Sequence, residues 1–262
     1  MRLRVTASIL SLLTIFMACE ESQEGCLDLL AENYNFEAVT ECEDCCTYPS
    51  ATLNFSFINT DSLSYSLGDT LLNVEGDSMI LESFKLLFSD FTFKANSQDY
   101  TIRDTIEFLD SKVYDDFIYM ERESSYSIGA TRIQDTINTI LFTVGLDEAL
   151  AESLKPFEDI DQSSQLDLAL DSMYVDSIAL YRFFQMELQF VQDSSFVKLD
   201  FPNSLQDTFQ FASSIVVGDG QDWSFNLELD VHALLSDLIR EDDNSIIIEK
   251  VNNNFRQSIR LK

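Results

Sequence analysis

Apolar side chains recur at every second position through most of this 262-residue chain, and that spacing restricts it to folds built from half-buried strands. Leu53, Phe55 and Phe57 alternate with Thr52, Asn54 and Ser56. Phe184, Met186, Leu188 and Phe190 alternate with Gln185, Glu187 and Gln189, and Trp223, Phe225, Leu227, Leu229 and Val231 with Ser224, Asn226, Glu228 and Asp230. Successive strand side chains point to opposite faces, so each run offers one face to a core and one to water. In LESFKLLFSDFTFKA, Leu86 and Phe88 share one parity and Phe91 and Phe93 the other, which predicts a bulge near Ser89 and Asp90. Further strands are expected at 105–109, 126–133, 139–146, 196–201, 208–212 and 246–251. This count predicts a mainly β fold, a two-sheet antiparallel β-sandwich. Helices are expected only at 147–154 and at 231–239, the second capped by Asp230. The acidic stretch 158–172 reads as a long exposed loop. With three prolines and seven glycines, turns must rely on Asp, Asn and Ser.

All five cysteines lie within the first 46 residues. The first, Cys19, ends the run MRLRVTASILSLLTIFMAC, in which Arg2 and Arg4 precede an apolar stretch from Val5 to Met17 and the small Ala18. That stretch is shorter than the roughly 20 apolar residues a transmembrane helix needs, and its order of charge, apolar run and small residue is that of a secretory signal. It resembles a bacterial lipoprotein signal, which implies that residues 1–18 are removed and that Cys19 carries the lipid. Glu20 and Glu21 resemble the acidic export signal of some surface lipoproteins. The expected location is therefore the cell envelope, anchored by lipid to the outer membrane on its periplasmic or outer face.

The other four, Cys26, Cys42, Cys45 and Cys46, read as two disulfides in an oxidising compartment. A bond between the adjacent Cys45 and Cys46 would be strained, so Cys26 pairs with one of them and Cys42 with the other. A piece this small cannot bury a core and needs staples. Gly25, Cys26, Asp28, Ala31, Asn33, Tyr34, Asn35, Ala38, Cys46 and Tyr48 resemble a short repeat of bacterial surface proteins. Zinc on the four thiolates is the less favoured reading. Calcium on Asp28, Asn33, Asn35, Glu43 or Asp44 is the other alternative. The expected division is thus a signal at 1–18, a lipid-anchored cysteine-rich module and tether at 19–50, and a sandwich at 51–262.

The formal net charge is −30, and removal of the signal takes away two arginines and no acid. Phosphate binding needs a basic face, so nucleic acid is excluded as a partner. The same charge repels anionic lipid, which leaves the acyl chain to hold the protein at a membrane.

The opening strand ATLNFSF, the block MILESFKLLFSDFTF, the segment TINTILFTVGLD, the stretch SMYVDSIALYRFFQMEL and the closing WSFNLELDVHALL, in this order, resemble the MbnP-like family of copper-associated envelope proteins. The resemblance implies a β-sandwich, an envelope location and copper as a candidate cofactor. The chain departs from the family pattern where copper chemistry is expected. Met173, Tyr174 and Tyr181 are kept, but Val175, Ser177 and Leu180 stand where tryptophans and a glycine are usual. Ala212 follows Phe209, Gln210 and Phe211 where a histidine is usual.

His232 is the single histidine, so a Ser-His-Asp or Cys-His catalytic arrangement would have to use it. It reads first as a surface residue at a strand-to-helix junction. With Met173 and Met186 it forms the candidate copper set, although these methionines, like Met79 and Met120, also read as core filler. Trp223 reads as buried. No pair of acids stands out for hydrolysis. The expected function is a non-enzymatic, lipid-anchored envelope binding protein with an MbnP-like domain, with copper as ligand or another envelope protein as partner. The alternative is a surface adhesion or glycan-binding module stabilised by calcium.

Overall fold

The run with the shifting parity becomes the spine of the molecule. A computed structural model describes residues 23–59, 61–96, 98–108, 111–146, 164–167, 173–175, 180–182, 184–201 and 207–262. The signal, Cys19 and the helix expected at 147–154 lie outside the described residues. In chain order the strands are β1 (Glu24–Gly25), β2 (Thr40–Glu41), β3 (Ser50–Ile58), β4 (Thr70–Leu72), β5 (Ser78–Ala95), β6 (Asp99–Tyr100), β7 (Thr105–Phe108), β8 (Ser111–Tyr114), β9 (Ile118–Met120), β10 (Ser124–Ala130) and β11 (Thr136–Val144). They continue with β12 (Tyr174–Val175), β13 (Leu180–Tyr181), β14 (Phe184–Phe190), β15 (Ser195–Phe201), β16 (Asp207–Val216) and β17 (Trp223–Asp230). Helices α1 (Val231–Leu235) and α2 (Asn244–Ser258) and strand β18 (Ile259–Leu261) close the fold.

Two sheets face each other. The larger runs β15-β14-β5-β11-β16, with β4, β6 and β9 also paired to β5, and the smaller runs β10-β3-β17-β18. Rings cross the interface: Phe57 meets Phe84 edge-on at 5.5 Å, and Phe93 meets Trp223 edge-on at 4.8 Å. Offset and edge contacts of this kind add about 0.5–1.5 kcal/mol each to the burial itself. The sandwich is as expected, with one correction: β3 and β17 are parallel, from Trp223↔Ala51 to Asp230↔Ile58. They are far apart in sequence, so no hairpin forces them antiparallel, and the intervening chain supplies the crossover that a parallel pair requires.

In β5 the buried positions run Met79 and Leu81, then Phe84, Leu86 and Phe88, then Phe91 and Phe93. Parity changes twice, and each change is a bulge. The predicted one sits at Asp90, where Leu141↔Thr92 is followed by Thr143↔Ser89 and Asp90 adopts φ 56°. A second lies between Leu81 and Ser83, opposite Glu187 and Leu188. Each extra residue turns the strand so that the next apolar side chain again faces the core.

The strand expected at 246–251 is instead the start of α2. Asp243 caps it, its carboxylate accepting the amides of Ser245 and Ile246 at 3.0 Å. Ile247, Val251 and Phe255 are four apart and buried on one face, with Phe255 packed on Phe184 at 5.0 Å. The β preference of three consecutive isoleucines yields to a cap and a core contact at helical spacing. Asp230 caps α1 as expected, its carboxylate accepting from the Ala233 amide. Of the stretch 158–172 expected as an exposed loop, residues 164–167 are described and the rest lie outside the described residues; there Ser164 and Leu166 are buried, and the Ser164 hydroxyl donates to Asp115 at 2.6 Å.

Candidate functional site

The cysteine-rich module is held by Cys26–Cys46 and Cys42–Cys45, one of the two arrangements the spacing allowed. Its polar side chains do structural work. Asn33 donates to the Cys45 carbonyl at 2.7 Å and accepts from the Thr47 amide at 2.9 Å. Asn35 accepts from the Glu37 amide. Asp28 accepts from the Leu30 amide, from the Tyr48 hydroxyl at 2.8 Å and from Arg132 Nε at 2.6 Å. Three of the five oxygen donors considered for calcium are thus engaged in bonds that shape the module. Partial burial works to raise the Asp28 pKa, but the Leu30 amide, Arg132 and Tyr48 outweigh it and hold the carboxyl below its ordinary value.

Arg132 belongs to the sandwich, so this cluster joins the two parts. The Arg103 guanidinium lies over the Tyr48 ring, 4.3 Å from its centroid. Its backbone is fixed by a bond from the Arg103 amide to the Ala130 carbonyl at 2.8 Å. The neighbouring Asp104 accepts from the Ala130 amide at 2.6 Å. Between module and sandwich opens a cleft of about 540 Å³, with Glu41, Asp44 and Thr47 on one wall, Arg103 and Asp104 on the other, and Tyr48 at the seam. Arg103 makes no ion pair among the described residues. A cation without an ion pair and three carboxylates in a cleft of this size can take a small polar ligand that carries both acceptors and donors.

A second cleft, about 470 Å³, lies under the β7–β8 hairpin at the bulge of β5, lined by Asp90, Thr105, Lys112, Tyr114, Asp116 and Phe117. Here Asp116, 5 % exposed, accepts from the Phe91 amide at 2.6 Å and so takes the place of a missing ladder partner. Burial, and then the charge of Asp90, push its carboxyl up to about 7 against the pull of backbone amides. Reading the sequence missed this group. Its one signal, an Asp-Asp pair between Tyr114 and Phe117, is not distinctive in so acidic a chain.

The candidate copper residues fall on three separate elements. Met186 is fully buried on β14, opposite Phe84 and Leu199. Met173 is fully buried before β12, its carbonyl accepting from the Arg182 amide. His232 is half-buried in α1, its carbonyl accepting from the Ser236 amide. Soft copper prefers thiolate, thioether and imidazole donors. Here the four cysteines after Cys19 are bonded to each other, both thioethers are buried in the fold, and there is one imidazole. That donor set does not fit a copper centre. Among the described residues the one group of three carboxylates close enough to share an ion is Glu75, Asp77 and Glu241, oxygen donors at or near the surface. Trp223 is buried, and its Nε1 donates to Thr131 at 2.9 Å.

Among known proteins, a solved structure of MbnP from Methylosinus trichosporium is similar over 72 % of this chain and 78 % of that one, at 16 % identity and a TM-score of 0.45. No curated protein matches the chain significantly. The family described as MbnP matches residues 49–253, from Pro49 at the end of the cysteine-rich module into α2. On that match, which runs from β3 into α2, the chain belongs to the MbnP family.

Proposed function

We propose that this MbnP-family chain is a non-enzymatic, lipid-anchored binding protein of the cell envelope that takes a small polar ligand in the cleft between its disulfide module and its sandwich. The observation that carries this is the seam itself. Asp28, Tyr48, Arg103 and Arg132 clamp the module in one position and leave a mixed-charge cleft of about 540 Å³ beside them. Two closed disulfides agree with an oxidising compartment. Among the described residues, Asp116 is a perturbed carboxyl lining a cleft, and it spends an oxygen on the Phe91 amide, which favours binding over catalysis there. Copper is not the ligand this donor set favours, and calcium on Asp28, Asn33 or Asn35 would have to compete with bonds that shape the module.

The test has two arms. The mature chain, produced in an oxidising compartment, is equilibrated with copper and calcium, dialysed and analysed for metal. It is then screened by thermal shift against amino acids, short peptides and oligosaccharides. A ligand at about 100 times its Kd stabilises by about 2.7 kcal/mol, a readable shift. The proposal expects less than stoichiometric copper and a hit that Arg103→Ala abolishes. Stoichiometric copper, or hits indifferent to Arg103→Ala, would overturn the seam. An oligosaccharide hit would identify an adhesion module. Independently, Cys19→Ala should remove the acyl anchor, read as loss of the lipid mass from the peptide that contains position 19.

A further inference from the structure

Of the thirteen large hydrophobic side chains exposed in the described residues, five fall between Leu27 and Val39 of the module: Leu27, Leu29, Tyr34, Phe36 and Val39. Phe36 and Val39 are the most exposed of these, at 79 % and 78 %. Scattered surface hydrophobics need no explanation, but a concentration on one small module marks a contact surface.

Their placement identifies the contact. The Val39 amide donates to the Gln23 carbonyl at 2.8 Å, so Val39 lies beside the first described residue. Phe36 sits in the turn closed by the Ala38 amide on the Asn35 carbonyl, and that turn packs so closely on Gly25 that a Cβ there would come within 3.0 Å of Ala38. The module meets the sandwich elsewhere, through Asp28 and Tyr48 and at Ala31, whose carbonyl lies 3.1 Å from where a Cβ on Gly220 would stand. Only residues 20–22 separate Cys19 from Gln23. Fully extended, that link reaches about 14 Å. An acylated Cys19 therefore keeps Phe36 and Val39 within reach of the headgroup region.

We propose that Phe36 and Val39 insert into the phospholipid surface as a second membrane contact beside the acyl anchor, so that the module lies against the bilayer. The proposal rests on the anchor reading for its geometry. The exposed Glu24, Glu37 and Glu41 nearby set the lipid preference, neutral over anionic.

The test uses the mature chain with Cys19→Ala, secreted through an oxidising compartment, and sedimentation with phosphatidylcholine vesicles. The expected result is measurable pelleting that falls by about tenfold in Phe36→Ser/Val39→Ser, and weaker pelleting at low salt on vesicles containing phosphatidylglycerol. If the double change alters melting, Phe36→Ser alone serves. Equal pelleting of both chains, or none by either, overturns the proposal. The mass of the Cys19 peptide from the native protein decides the anchor separately: an unacylated Cys19 with vesicle binding that still depends on Phe36 refutes the anchor and leaves the lipid contact standing.

Discussion

Replacing Asp116 by Asn should make the protein markedly less sensitive to pH. In the fold this carboxyl is pushed up to about 7, first by burial and then by the charge of Asp90, against an ordinary value of 3.8. Between those values the folded state holds a proton that the unfolded state has lost. The stabilisation is therefore complete below about pH 4 and disappears as pH rises through 7. A difference of about 3 pH units, at about 1.4 kcal/mol for each, amounts to about 4 kcal/mol. Asn has the same shape, and its carbonyl can accept from the Phe91 amide as Asp116 does now at 2.6 Å. Urea denaturation of both chains at pH 4 and pH 8 separates this group from the other acids, which are common to both. The Asp116→Asn change should be near neutral at pH 4 and stabilising by up to about 4 kcal/mol relative to wild type at pH 8. The same difference in stability at both pH values would refute the reasoning, since a carboxyl that titrates alike in both states contributes no pH dependence.

Other consequences follow from particular contacts. Phe184, stacked on Phe201 at 4.2 Å and packed on Phe255, should cost about 3–5 kcal/mol in equilibrium unfolding when changed to Ala. Asp243→Ala removes the cap of α2 and should cost about 1 kcal/mol, with loss of hydrogen-exchange protection confined to its first turn. Gly129 has φ 140°, and a Cβ there would lie 2.9 Å from the Asp104 carboxylate that binds the Ala130 amide. Gly129→Ala should therefore lower the melting temperature and loosen the seam, read as faster exchange of the Ala130 amide. Replacing Cys26 and Cys46 by Ser should abolish exchange protection in the module and spare β5 and β11, because the sandwich core contains no sulfur bridge.

Strand positions and faces were legible in the sequence because alternation is a local property of a strand. The parity change at Ser89 and Asp90 was legible for the same reason: a core that stays on one side requires an extra residue where the pattern slips. Adjacent Cys45 and Cys46 limited the disulfide pairings through covalent geometry alone. Three isoleucines misled, because Ile247 is buried by Val251 and Phe255 on a helix whose cap, Asp243, outweighs local β preference.

Tertiary structure decided what depends on distant partners. No local signal says that β17 runs parallel to β3, since Trp223 and Ala51 meet only after the chain has folded round. Asp116 looks like any surface acid until Phe91 and Asp90, about 25 positions earlier in the chain, are brought against it. The seam is the same case, because Arg103 and Tyr48 acquire their cleft only when the module docks. Periodicity sets which side of a strand is wet, whereas burial, charge environment and cavity shape are sums over neighbours that the linear order does not contain.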